Sequence, residues 1–303
     1  MSIPPTAGTV VVHGGAGASL DHEDGCVLAA RRALAQLEAN GDALDAAISA
    51  VTALEDDGRF NAGSGSVLCL DGATIEMDAS IMDTRGRLGA VACVRSVKNP
   101  VRLARAIADT PHWLLAGEGA QRFARTIGMA DSAPASDHQR AAHRKLMTEL
   151  AGSVPVMPGV TNQLFERFWN YKTPLQLPPG TACDTVGAVV RGPDGHFAVA
   201  CSTGGSAPSL LGRVGDGPII GSGFYAGPEG AVAASGIGEH IVRHLLAHTV
   251  YGWIAGGMPL QDALRRGVEL FDPDITIGLI AVSRHEAGSC SNRTMPTSRM
   301  TQR

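Results

Sequence analysis

The sequence predicts an α+β fold layered as helix, sheet, sheet, helix. Three observations carry that expectation. Strand-like β-branched runs cluster in the middle of each half of the 303 residues, and helical periodicities flank them. A hydrophobic content of 44% with a mean hydropathy of +0.06 excludes a disordered chain and supplies a core for one large unit. No apolar stretch approaches the ~18 residues of a membrane span. The 38 glycines have no three-residue period, which excludes collagen, and mark a tightly turned chain.

The elements follow in order. Thr9-Val10-Val11-Val12 reads as a buried strand that ends in the loop His13-Gly14-Gly15-Ala16-Gly17. A helix over Cys26 to Asn40 stops at Gly41, and Asp42 caps a second helix with Leu44, Ile48, Val51 and Leu54 at helical spacing. Strands are expected at Ser66 to Leu70, Thr74 to Ile81 and Arg87 to Val94, then helices from Pro100 to Ala108 and from about Trp113 to Thr126. Periodicity fades between Gly128 and about Ala182, a proline-rich stretch too long for an ordinary connection and read as a functional loop or linker. Alternation resumes at Thr185 to Val190, turns at Pro193-Asp194-Gly195 and continues from His196 to Ser202 as a hairpin. A glycine-rich loop covers Gly212 to Gly223. Helices over Gly238 to about Ala255 and Pro259 to Phe271 precede a last strand, Ile275 to Ser283.

With 25 basic and 29 acidic residues and no basic run, neither nucleic acid nor membrane is an expected partner. The six cysteines form no CxxC pair and read as reduced core residues, and Met1 to Pro5 carries no signal pattern, so the expected location is cytoplasmic. The turn after Val12 fails the dinucleotide fingerprint, because after Gly15 and Gly17 the chain offers Leu20 and acidic residues where a glycine and a helix start are needed. His240, His244 and His248 share a helical spacing that could hold zinc, but no glutamate sits between the first pair as in HExxH, and solvated or core histidines are the better reading.

A threonine at the start of a strong strand, as at Asp184-Thr185-Val186-Gly187-Ala188, is ordinarily only a β-former. Its hydroxyl becomes a nucleophile when a base adjoins it. The threonine's own α-amine, with a reference pKa of ~7.7–8.0, would serve if the chain were cut before Thr185.

Several spaced motifs resemble the plant-type asparaginase and isoaspartyl peptidase family of N-terminal-nucleophile hydrolases. They are Val12 to Gly17, Phe60-Asn61-Ala62-Gly63-Ser64-Gly65, Met77-Asp78-Ala79-Ser80-Ile81-Met82, Lys98-Asn99-Pro100, Gly117-Glu118-Gly119-Ala120, Thr185 to Val189, Ser202-Thr203-Gly204-Gly205 and Gly212-Arg213-Val214-Gly215-Asp216. The resemblance implies a four-layer αββα sandwich that cleaves itself between Asp184 and Thr185. An α subunit of 1–184, with a flexible tail over about 130–184, and a β subunit of 185–303 would result. It implies Thr185 as nucleophile, Thr203 as the hydroxyl that orients it, Arg213 and Asp216 as a clamp for the α-carboxylate and α-ammonium of the substrate, and the loop Ser235-Gly236-Ile237-Gly238-Glu239 as the source of a hydroxyl and a backbone N–H for the oxyanion, with Ser235 and Gly236 in contact with substrate. Ile237, Gly238 and Asn61 complete the implied substrate contacts. No cofactor is implied for catalysis. A structural sodium ion is implied on the backbone carbonyls of Leu54, Glu55, Asp57, Phe60, Ala62 and Ser64. The implied substrates are L-asparagine and peptides with an N-terminal β-aspartyl residue, and the implied assembly is a dimer of αβ heterodimers.

The chain departs from the family pattern at four positions. Ser235 and Ile237 stand where threonines are usual, and Cys183-Asp184 replaces His-Gly, with the aspartate shared by the glycosylasparaginase branch. Two alternatives are therefore carried: a glycosylasparaginase-type hydrolase, and an unprocessed, non-catalytic binding homologue.

Overall fold

The computed structural model describes residues 7–129, 136–152, 161–171 and 182–302. Strand β1 (Thr9–His13) is buried along its whole length, which is why its sequence is an apolar run and not an alternation. Helices α1 (Glu23–Asn40) and α2 (Ala43–Asp57) form the expected hairpin. Gly41 adopts φ 70° at the turn, and the Asp42 carboxylate accepts from the N–H groups of Leu44 and Asp45. Alanines at 29, 30, 33, 43, 46, 47 and 50 are wholly or almost wholly buried. Small side chains let both helices lie close on the sheet.

Strands β2 (Met77–Asp83) and β3 (Leu88–Val94) and helix α3 (Pro100–Ile107) follow close to expectation. Three expectations for the chain before residue 182 differ. Ser66 to Leu70 is no strand, because its N–H groups go to local carbonyls and to side chains: Ser66 donates to Gly63 O and Cys69 to Thr74 O, Val67 to Asn61 Oδ1 at 3.0 Å and Leu70 to the Tyr171 hydroxyl at 3.3 Å. The helix expected from Trp113 begins as strand β4 (Leu114–Ala116), paired in parallel with β3, and only then becomes α4 (Gly117–Thr126). Within the stretch expected to be irregular lie α5 (Asp137–Ala151), closed at its start by a capping box between Ser136 and Gln139, and α6 (Gln163–Arg167). Leu146, Met147, Leu150, Phe165 and Tyr171 pack there on Cys69, Leu70 and Ala207. The rest of the expected flexible tail, at 130–135, 153–160 and 172–181, lies outside the described residues.

In the second half, β5 (Ala182–Arg191) and β6 (Phe197–Ala207) form the hairpin, with β6 running past its expected end. Then come β7 (Phe224–Gly227), β8 (Gly230–Gly236), α7 (Gly238–His244), α8 (Leu246–Ala255), α9 (Leu260–Val268), β9 (Ile277–Ser283), β10 (Ala287–Ser291) and β11 (Thr297–Thr301). The helix expected over Gly238 to Ala255 breaks at Leu245, whose φ is 44°. The N–H groups of Ala247 and His248 turn to the carbonyls of Ser222 and Gly221, which starts α8 afresh.

Two sheets result, ordered β11-β1-β5-β6-β2-β3-β4 and β10-β9-β8-β7. Val186, Ala188 and Val190 of β5 pack with α1, α2 and α3, whereas Val189 packs with Phe224, Ala233 and Ile280 of the second sheet. The alternating side-chain direction of a strand therefore turns Thr185, Gly187 and Val189 toward the second sheet. On that sheet's other face, Val232, Ala234, Leu279 and Ala281 pack on α8 and α9. Among the described residues no helix is long and apolar enough to cross a membrane.

Candidate active site

The strand register brings three polar side chains into one row: Thr185 of β5 pairs with Thr203 of β6, which pairs with Asp78 of β2. All three are buried. Thr185 Oγ1 donates to Thr203 Oγ1 at 3.3 Å, and Thr203 Oγ1 accepts from the Gly205 N–H at 3.0 Å. Thr203 thus lies inside β6 and not at its end. The ladder is irregular immediately beyond the row, where Cys183 pairs with Ser206, and Gly204 and Gly205 oppose Asp184 alone. Gly205 adopts φ 79° in this bulge. The bond between Asp184 and Thr185 lies at the irregularity.

Asn61 holds the bulge from the side. Its Nδ2 donates to Gly205 O at 2.8 Å, and its own carbonyl accepts from the Gly204 N–H at 2.9 Å. A Cβ at Gly204 would stand 2.3 Å from Asn61 Oδ1 and 2.6 Å from the Ser66 Cα, so the position accepts glycine only.

The second sheet contributes Ser235, wholly buried near the end of β8. Its Oγ accepts from the Ala16 N–H at 2.9 Å and approaches the Thr185 carbonyl at 3.5 Å. Gly236 follows with φ 142° and its Cα against the Thr276 carbonyl, where a Cβ would come within 2.1 Å. Ile237 donates its N–H to Thr276 O and packs its side chain into the cluster on α8 and α9, away from Thr185.

Arg213 and Asp216, from the glycine-rich loop, meet at Gly238: Arg213 Nη2 and Asp216 Oδ1 each lie 2.9 Å from where a Gly238 Cβ would stand. Arg213 Nε and Nη2 donate to the two carboxylate oxygens of Glu239 at 2.8 and 2.7 Å. Asp216 is buried, and its Oδ2 has no hydrogen-bond partner among the described residues. Burial pushes its carboxyl up to about 7 against the pull of Arg213, with Glu239 and Asp78 adding repulsion. Burial likewise raises Asp78 to about 6, although the Cys93 N–H donates to it at 2.8 Å.

Around Leu54 to Ser64, the last turn of α2 presents carbonyls without helical partners, and Glu55 O lies 2.7 Å from where a Gly63 Cβ would stand. In the loop that follows, the Phe60, Ala62 and Ser64 carbonyls accept hydrogen bonds from Ala62 N, Gly65 N and Gln139 Nε2. Neutral oxygens at the negative end of a helix, each with a second lone pair, fit a hard monovalent cation. The break at Leu245 puts His248 on a different helix from His240 and His244. His244 stacks edge-on to Phe271 and His248 edge-on to Tyr225. The five cysteines with described side chains are unbridged.

Three parts of the site carried no assigned role in the sequence: Asp78, Glu239 and the Ala16 N–H. Strand register brings Asp78 beside Thr203, and the folds of the loops bring the Ala16 N–H to Ser235 and Glu239 to Arg213.

The fold and site define a mixed α/β hydrolase. The chain belongs to the asparaginase family, which it matches across residues 6–302. It is 38% identical over 289 residues to the plant-type L-asparaginase of Pyrococcus furiosus, covering 90% of this chain and 89% of that one. It is 40% identical over 263 residues to the isoaspartyl peptidase/L-asparaginase of Rattus norvegicus, covering 84% and 73%. The plant-type L-asparaginase of Thermococcus kodakarensis is 39% identical over 297 residues, covering 90% and 89%.

Proposed function

We propose that the chain is a self-processing threonine amidohydrolase that converts L-asparagine to L-aspartate and ammonia and removes N-terminal β-aspartyl residues from peptides. The observation that carries this reading is the buried Thr185–Thr203 hydroxyl pair at the edge of a bulge, at the point where the chain would be cut. Relatives named for both activities cover most of the chain.

In the proposed reaction, cleavage of the Asp184–Thr185 bond frees the Thr185 α-amine. Thr185 Oγ1 attacks the side-chain amide carbon, the amine takes its proton and returns it to the departing ammonia or peptide amine, and water then hydrolyses the β-aspartyl ester. Thr203 orients the nucleophile from within β6. Arg213 takes the substrate α-carboxylate and Asp216 its α-ammonium, so internal residues of ordinary peptides, which lack both charges, are rejected. Ser235 Oγ and the Gly236 N–H serve the oxyanion; the 3.5 Å approach of Ser235 to Thr185 supports the first of these roles.

The finer fold assignment belongs to the same reading. Helices on one face of each sheet and an apolar cluster between the sheets support a four-layer αββα sandwich. The Leu54 to Ser64 carbonyls would hold a sodium ion that stiffens the loop carrying Asn61. Assembly as a dimer of αβ heterodimers and a cytoplasmic location complete the reading, the latter supported by the unbridged cysteines. Gly204 favours this branch over glycosylasparaginases, which usually carry asparagine there: no side chain fits between Asn61 and Ser66.

A denaturing gel with intact-mass measurement and an ammonia assay tests the proposal. We expect two fragments meeting between Asp184 and Thr185, ammonia from L-asparagine, and aspartate from β-aspartyl dipeptides but not from glycosyl-asparagine. Thr185→Ala should abolish both cleavage and turnover. A chain that stays whole and releases no ammonia would overturn it.

A further inference from the structure

We infer that Glu239 is a positioning residue whose carboxylate holds the Arg213 guanidinium off Asp216, so that both charges of the clamp stay available to the amino-acid end of the substrate. The inference rests on the clamp role proposed above for Arg213 and Asp216.

The problem such a clamp must solve is self-neutralisation. An arginine and an aspartate close together in a water-poor site attract strongly, and a pair closed on itself would have to be broken by every substrate molecule. Here the two groups are near enough to touch the same missing Cβ at Gly238. Yet Asp216 Oδ2 is buried without a hydrogen-bond partner among the described residues. The difference lies in Glu239, the second residue of α7, which takes the Nε and Nη2 edge of Arg213 in a fork of two hydrogen bonds at 2.8 and 2.7 Å.

Two backbone features hold Glu239 where it must be. The Ile237 N–H donates to Thr276 O, which fixes the entry into α7, and Gly238 has no side chain to push the loop and the helix apart. Glu239 is 39% exposed in its side chain against 17% for Arg213, so it retains hydration while fixing a more buried cation. A carboxylate can thus orient the guanidinium without the full desolvation that a pair with Asp216 would need. The charged groups that face Asp216 are Arg213 from its own loop, Glu239 from α7 and Asp78 from β2. Removing the Glu239 charge takes away one repulsive neighbour of Asp216 and the fork that holds one edge of Arg213 away from it. Both changes favour ionised Asp216 and move its titration to lower pH.

The test compares processed wild-type enzyme with Glu239→Gln and Glu239→Asp in L-asparagine turnover as a function of pH. For Glu239→Gln we expect KM to rise ~10-fold with kcat changed far less, as loss of one charged hydrogen-bond fork predicts, and the acid limb of 1/KM to move to lower pH. Glu239→Asp keeps the charge, so its limb should stay in place while KM falls between the other two. An unchanged KM, or a raised KM with an unmoved limb in Glu239→Gln, overturns the inference. Should Glu239→Gln fail to fold, a displaced limb in Glu239→Asp overturns it instead. Failure of the wild-type enzyme to hydrolyse either substrate class would strike the proposed function and not this role.

Discussion

Asp216 carries opposed demands at the scale of one residue. Its carboxyl is raised from the usual 3.8 to about 7 because burial penalises the charge, yet the proposed clamp needs that charge. A carboxyl raised on folding contributes stability that is fully present below the unfolded pKa and lost as pH rises through the folded one. Asp216 should therefore weaken the fold progressively between about 3.8 and about 7, and most strongly above that range. Asp216→Asn removes the effect. We expect its melting temperature to exceed that of wild type by more at pH above 7 than in acid, and its KM for L-asparagine to rise ~10–100-fold through loss of a charged acceptor. Thermal melts in acid and in base, with steady-state kinetics of the processed protein, check this. A stability advantage confined to acid would contradict the argument. In wild type, the same titration should raise KM as pH falls through about 7.

At the scale of the element, β5 is held at both ends by different chemistry. Thr185 lies near one end, and at the other Arg191 is buried with no carboxylate bound to it among the described residues. Its Nη1 donates to Ser283 O and Arg284 O at 2.8 and 2.9 Å, and its Nη2 to Ala7 O and Thr9 Oγ1 at 3.2 and 2.8 Å. One guanidinium thus ties β5 to β1 and to the end of β9 in the other sheet. Arg191→Met keeps much of the volume and leaves these acceptors unanswered, which should cost about 2–4 kcal/mol in urea denaturation with little change in kcat. A cost below about 0.5 kcal/mol, the ordinary surface range, would show that water replaces the guanidinium freely. Such ties explain what could and could not be read in advance. Asp42, Gly41 and the Pro193-Asp194-Gly195 turn act on neighbours in sequence, and the structure has each where local chemistry puts it. Strand β8, Gly-Ala-Val-Ala-Ala-Ser-Gly, has weak strand preference and exists because β7 and β9 flank it and α8 covers it. Helix α5 did carry a local signal, the Ser136 to Gln139 capping box, inside a stretch whose prolines suggested otherwise. In the site, Thr185, Thr203, Arg213, Asp216 and Ser235 stood out by resemblance of motif. Asp78 and Glu239 required the register of β2 on β6 and the position of α7, which no local pattern encodes.

The whole molecule constrains what a cut before Thr185 can do. In the larger sheet, β1 lies between β11 and β5, and β2 lies beside β6. Strands from 1–184 and from 185–303 therefore interleave, and three strand pairings join the two parts: β11 with β1, β1 with β5, and β6 with β2. The apolar cluster against α1 and α2 likewise draws on Val10, Val12, Leu44 and Leu54 from the first part and Val186, Val190 and Ala198 from the second. Hydrophobic burial of that kind, at roughly 25 cal/mol per Å² of apolar surface, far exceeds what loss of one peptide bond removes. We therefore expect the processed protein to migrate as one particle in native size-exclusion chromatography and to separate into its two chains only in denaturant. Neither part expressed alone should fold, because each would expose strand edges and half a core. Co-expression of 1–184 with a chain beginning at Thr185 should in turn restore turnover, since the pairings that position Thr185 beside Thr203 lie within the second part and those that position Asp78 and Asn61 lie across the joint. Separation of the two chains in native buffer would contradict the interleaved register.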